Sequence, residues 1–114
     1  MIKIAQKPTY THKVKAELPG DDGKTINTTF SLSFFRLTQT ELDEMAKSVN
    51  EKKMTDNDVL KRVVAGFGPD VQDEDGNALE FNEDNLMALA DVFPLRPAMI
   101  RAYYASLETA KAKN

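Results

Sequence analysis

Two alternating runs separated by a turn constrain this chain more than anything else in it. In the first, Tyr10, His12, Val14, Ala16 and Leu18 fall on one side of a strand, with Thr11, Lys13, Lys15 and Glu17 opposite. In the second, Ile26, Thr28, Phe30, Leu32 and Phe34 point inward and Asn27, Thr29, Ser31 and Ser33 outward. Between them lies Pro19-Gly20-Asp21-Asp22-Gly23, rich in residues that turn the backbone. The pattern predicts an antiparallel hairpin over residues 10–35, apolar on one face and wet on the other. A two-stranded ribbon is marginal in water, so its apolar face requires helices or another subunit against it.

The rest of the chain supplies helices. Thr38 caps the first, with Glu41 as its capping-box partner and Leu37 and Leu42 as a hydrophobic staple. Leu42, Met45, Ala46 and Val49 mark its apolar face, and Asn50-Glu51-Lys52-Lys53 closes it with cations near the negative end of the dipole. Met54 and Thr55 repeat this opening with Asp58 and Val59. Val59, Leu60, Val63, Val64 and Phe67 then predict one helical stripe, with Gly66 and Gly68 as C-cap positions and Pro69 barring continuation. Asn82 caps a third helix, Phe81 staples onto Leu86, and Leu86, Met87, Leu89 and Ala90 predict a well-buried element. Phe93-Pro94 ends it, and Pro94 or Pro97 occupies the first turn of a last helix carrying Met99, Ile100, Tyr103, Tyr104, Leu107 and Ala110. Lys111 to Asn114 reads as a fraying polar tail. The expected class is α+β and mainly helical: an N-terminal antiparallel β-hairpin followed by about four α-helices, in one domain over 1–114 with its helical part at 38–111.

Charge and residue types narrow the function. The net charge of −3 argues against nonspecific nucleic-acid binding, which depends on Lys and Arg neutralising phosphates. The chain has no cysteine, hence no disulfide, thiolate nucleophile or Cys-based metal site. No stretch is apolar enough to span a bilayer, and MIKIAQK lacks the core of a signal peptide, so a reducing cytoplasm is expected. The chain is 41% hydrophobic and 29% charged, which fits a small fold with much surface or a subunit that completes its core in an assembly.

Nothing in the chain has the pattern of catalysis. His12 is the one histidine and lies on a strand face with no partner nearby in sequence. Serines 31, 33, 48 and 106 lack a nucleophile-elbow context, and Gly66-Phe67-Gly68-Pro69 is a helix stop rather than a phosphate loop. The acidic turn Asp73-Glu74-Asp75-Gly76 fails as an EF-hand loop, because Val71 stands at its first ligand position and Asn82 at its twelfth. The Pro-Gly-Asp-Asp-Gly turn fails likewise, with Leu18 first and Thr29 last. Asp75-Gly76 reads instead as a small hairpin or tight turn, and no metal or cofactor is expected.

Contact with a partner is the better expectation. Tyr103 and Tyr104 are adjacent on a helix, about 100° apart, so one can face the core and the other a partner. The candidate contact residues are Phe34 and Phe35 at the end of the hairpin, Phe93 and Arg96 at the proline corner, and Ile100, Tyr103, Tyr104 and Leu107 on the last helix. Arg101 either flanks that surface or is solvated. Met45, Met54, Met87 and Met99 add adaptable contact surface where exposed, and core where not.

The ordered series VVAGFGPDVQDEDGNALEFNEDNLMALADVFPLRPAMIRAYYASLETAKAKN resembles the C-terminal half of tail assembly chaperones of long-tailed, siphovirus-type bacteriophages. The matching residues are Val63, Val64, Gly66, Phe67, Asp73, Glu74, Asp75, Gly76, Phe81, Leu86, Pro94, Arg96, Ile100, Arg101, Ala102, Tyr103 and Leu107, with Phe67 where a Trp is more usual. The resemblance implies a non-enzymatic, self-associating factor in the host cytoplasm. Such a factor coats the tape measure protein, recruits tail tube subunits and is absent from the mature virion. A longer form made by ribosomal frameshifting commonly does the tube recruitment. Ala112-Lys113-Asn114 can be encoded as GCA AAA AAC, which contains a slippery run. The rival expectation is a small acidic regulator that masks a basic or nucleic-acid-binding partner.

Overall fold

The computed structural model describes the backbone of residues 1–112 and the side chains of residues 1–108. Strands β1 (Thr9–Pro19) and β2 (Thr25–Phe35) form the expected hairpin, in register from Thr9 opposite Phe35 to Pro19 opposite Thr25. Lys24 N–H closes the turn on the Asp21 carbonyl, with Asp22 (φ 55°) and Gly23 (φ 74°) in the left-handed region. Aspartate tolerates that conformation and glycine adopts it freely, which is why this pair can join twisted strands so tightly.

Helices α1 (Gln39–Asn50) and α2 (Asp56–Val63) follow. Both begin in complete capping boxes. Glu41 N–H donates to Thr38 Oγ1 (3.1 Å) while Thr38 N–H donates to Glu41 Oε1 (2.8 Å). Asp58 and Thr55 repeat the exchange at 3.3 and 2.9 Å. Arg62 joins the two helices through Glu41 at 2.8 Å.

After Val63 the chain leaves the helix, contrary to the stripe read through Phe67. Val64–Phe67 forms β3, antiparallel to β2, giving a three-stranded sheet in the order β1-β2-β3. The reason is a contest that local propensity loses: β-branched Val64 and the glycine at 66 hold a helix weakly, whereas β2 offers an unpaired backbone edge. Gly68 lets the chain pass close to β2, since a Cβ there would lie 2.8 Å from Ser31 Cβ and 2.9 Å from its carbonyl oxygen. Gly68 N–H bonds that carbonyl at 2.8 Å, and the Asp70 carboxylate accepts from Ser31 N–H at 3.1 Å where β3 has ended.

The acidic turn is a connector. Asp73 Oδ1 accepts from Asp75 and Asn77 N–H (2.9 and 3.0 Å), and Gln72 bridges Ala78 as a miniature hairpin. Helix α3 (Glu83–Ala90) starts at Asn82, whose side chain accepts from Asn85 N–H at 2.8 Å. It buries fully only Leu86 and Ala90, less than its apolar sequence predicts. A cis Phe93–Pro94 peptide turns the corner into α4 (Leu95–Ala112), with Pro97 in the first turn. The helix carries through Lys111 and Ala112 rather than fraying at them, while Lys113 and Asn114 lie outside the described residues.

The helices cover one face of the sheet. Val14, Leu32, Phe34, Leu60, Val63, Val64, Leu86, Met99 and Tyr103 are the interior of this layer. Ile26, expected inward, is 56% exposed because the hairpin tip carries it beyond the helices.

Candidate partner-binding surface

Helix α4 sets the surface because each of its flanks meets a different environment. At 100° per residue, Leu95, Ala98, Met99, Ala102, Tyr103 and Ser106 share the side turned to the core, and all are buried. Arg96, Ile100 and Leu107 line one border of that side and are half-buried, with Tyr104 (41% exposed) just beyond. Ala98, Ala102 and Ala105 line the opposite border, with Arg101 beyond them.

An aromatic series runs from the interior to this surface. Tyr10 lies 5.9 Å from Phe34, Phe34 meets Tyr103 edge-on at 5.1 Å, and Tyr103 meets Tyr104 edge-on at 5.5 Å. Burial pushes the Tyr103 hydroxyl up to about 12, with the neighbouring Tyr10 and Tyr104 adding to it. Phe34 and Tyr103, candidate contact residues by sequence, have essentially no exposed surface and support Tyr104 from beneath.

The remaining candidates separate. Phe93 (74% exposed) and Val92 stand out at the α3–α4 corner, where Arg96 pairs with Asp91 at 3.5 Å. Pro94 lines a cleft with Ala16 and Thr28, whereas Tyr10 reaches Ser106 near the other end of α4. Phe35, one rung from the Tyr10–Phe34 pair, therefore lies at the opposite end of α4 from Phe93. Phe35 shares a small cleft of about 180 Å3 with Val64, Phe81 and Leu86, closed by a Lys61–Glu83 ion pair at 3.2 Å. Phe81 is the residue that sequence reasoning missed here. Its staple position pointed at Leu86, while its ring also meets Phe67 edge-on at 5.0 Å.

The alanine border carries a second feature that sequence reasoning missed. A groove of about 590 Å3 runs between α4 and the free edge of β1, lined by Thr11, His12, Lys13, Lys15, Ala98, Arg101, Ala102 and Ala105. Alanines on a helix carry no signal by themselves, and β1 is known to be an edge only once β3 is found on the far side of β2.

Among the described residues, no group of three or more His, Cys, Asp or Glu side chains is placed to hold a metal ion. No helix there is long and apolar enough to cross a membrane. A family model described as phage tail assembly chaperone matches residues 1–114, and that span takes in both the α4 surface and the hairpin. Neither a curated protein nor a solved structure matches the chain significantly. A match along the whole sequence settles the family: this chain belongs to the phage tail assembly chaperones.

Proposed function

We propose that the protein associates with copies of itself and binds the tape measure protein, keeping it soluble while tail tube subunits are recruited. The observation that carries this reading is large apolar side chains left substantially exposed: Phe93 at 74%, Ile26 at 56%, Val92 at 45%, and Phe35 and Tyr104 at 41% exposure. Met1, Ile2 and Ile4, outside any regular element, add to it. Exposed apolar groups at several places suit a long client held by many weak contacts, whose avidity compensates for the weakness of each. Binding of this kind needs no catalysis. The work belongs to the host cytoplasm and ends before the virion is mature. In this reading a frameshifted longer form supplies the tube-recruiting part, and the slippery codons would fall at Ala112-Lys113-Asn114, largely outside the described residues.

Co-expression with the tape measure protein, followed by light scattering of the purified material, tests this. The reading expects a soluble complex containing several copies of the chain. A monodisperse monomer that leaves the tape measure protein in the pellet contradicts it.

A further inference from the structure

We propose that the groove between β1 and α4 takes an added β-strand: an extended segment of another protein that alternates acidic and small apolar residues. The backbone phase of the hairpin points there. Arg36 N–H bonds the Pro8 carbonyl and Gly20 N–H bonds the Lys24 carbonyl, so the even-numbered residues of β1 make the bonds to β2. Thr11, Lys13 and Lys15 accordingly turn their N–H and C=O groups to the free edge, beside the groove. The His12 ring, 3.2 Å from the Lys13 carbonyl through Nδ1, has to swing aside for an added strand. A strand laid along them gains a ladder of main-chain hydrogen bonds.

The side chains on the two faces specify its sequence. Lys13 and Lys15 project on the outer face of the sheet, so alternate residues of the added strand come beside two cations. Its other residues face α4, where Ala98, Ala102 and Ala105 leave room for small apolar groups. Arg101 lies beyond them. Lys13, Lys15 and Arg101 form no ion pair among the described residues, and the groove is cationic on a chain whose net charge is −3.

The same charges exclude other occupants. Antiparallel pairing with a second β1 sets lysine against lysine in the registers that oppose residue 13 to 13 or to 15, and the register that opposes Lys13 to Glu17 still sets Lys15 against Lys15 of the copy. The N-terminal arm of a copy carries Lys3 and Lys7. Lysines on an edge guard against like strands. Here they also select an acidic one. The site lies on the border of α4 opposite Ile100 and Leu107 and does not depend on tape measure binding.

The test is fluorescence anisotropy with a labelled Glu-Val-Glu-Val-Glu-Val-Glu peptide and the full chain, with amide chemical shifts as the second readout. Binding is expected to perturb the Thr11, Lys13 and Lys15 amides and to weaken with salt. Lys13→Glu with Lys15→Glu should cost about tenfold or more in affinity, and a Lys-Val peptide should then bind the double variant instead. Both lysines are exposed, and a thermal melt verifies that the variant folds. N-methylating either the Glu or the Val set should abolish binding in one case and spare it in the other, because only alternate N–H groups face β1. No binding, equal binding of a block peptide with the same composition, or tolerance of both methylated sets overturns the proposal.

Discussion

The Tyr10 hydroxyl and the Ser106 hydroxyl lie 2.8 Å apart, joining the first strand to the last helix across 96 positions of sequence. Ser106 Oγ also donates to the Tyr103 carbonyl, so the bond from Tyr10 reaches the backbone of α4 through it. The Arg36 guanidinium, just past the end of β2, stands 5.1 Å from the centre of the Tyr10 ring on β1. Tyr10 thus ties the sheet to the helix that carries the candidate surface.

Tyr10→Phe keeps the ring contact with Phe34 and removes the hydroxyl. Ser106 retains its bond to the Tyr103 carbonyl, so no buried donor is stranded, and the cost should be about 0.5–1.5 kcal/mol. Urea denaturation checks this, with an unchanged m-value expected because the fold is kept.

Thr38→Ala and Thr55→Ala each remove one capping box and should each cost about 1 kcal/mol. The same boxes give the chain an acid-sensitive component. Hydrogen bonds from the Thr38 backbone and side chain hold the Glu41 carboxyl below its ordinary 4.5, helped by Arg62. Those from Thr55 hold Asp58 below its ordinary 3.8. The unfolded chain therefore takes up these protons at higher pH than the folded one, and the stabilisation is present above about pH 4.5 and lost as pH falls through the lower folded values. Thermal melts from pH 6 down to 2 should show a shallower acid decline in the double Thr→Ala variant.

Tyr103 works at the other end of the scale. Its folded hydroxyl holds its proton to about pH 12, whereas in the unfolded chain it ionises near 10. Above pH 10 the unfolded state binds fewer protons than the folded one, so stability falls as pH rises from 10 towards 12. Ultraviolet titration of phenolate, read beside circular dichroism, should show one tyrosine titrating with the loss of structure.

Gly68→Ala tests the strand that the sequence hid. The new Cβ would meet Asp70 Oδ1 and Ser31 Cβ at 2.8 Å and the Ser31 carbonyl oxygen at 2.9 Å, so backbone has to move. A loss of about 1–3 kcal/mol is expected, as for overpacking elsewhere. Hydrogen exchange should speed up at Gly66 and Ser33 before it does at Val14.

Local signals were legible where the interaction is local. The alternation of Val14 and Ala16 against Phe30 and Leu32 gave the hairpin and its buried face, and Thr38, Thr55 and Asn82 gave three helix starts. The misses share one cause, which is contact between distant segments. Val64–Phe67 has a helix-compatible apolar spacing, and only the vacant edge of β2, some thirty positions away, turns it into a strand. Of the contact candidates, adjacent Tyr103 and Tyr104 could be assigned to inside and outside only after α4 was docked on β1. Arg101 and the alanines gained a groove by the same docking.

The exposed aromatic residues Phe93, at the corner before α4, and Tyr104, midway along it, are the heart of the proposed function. Phe93→Ser sits on the surface and should change stability by no more than about 0.5 kcal/mol. Tyr104→Ser also loses the edge-on contact with Tyr103 and should cost about 0.5–1.5 kcal/mol, which a thermal melt checks. The most direct measurement is the soluble fraction of tape measure protein on co-expression with the native chain, with the double variant, or alone. The account predicts that the native chain keeps it in the supernatant and that the folded double variant lets most of it sediment. Equal recovery with the native chain and the variant would contradict the surface, and equal recovery with no chain at all would contradict the function.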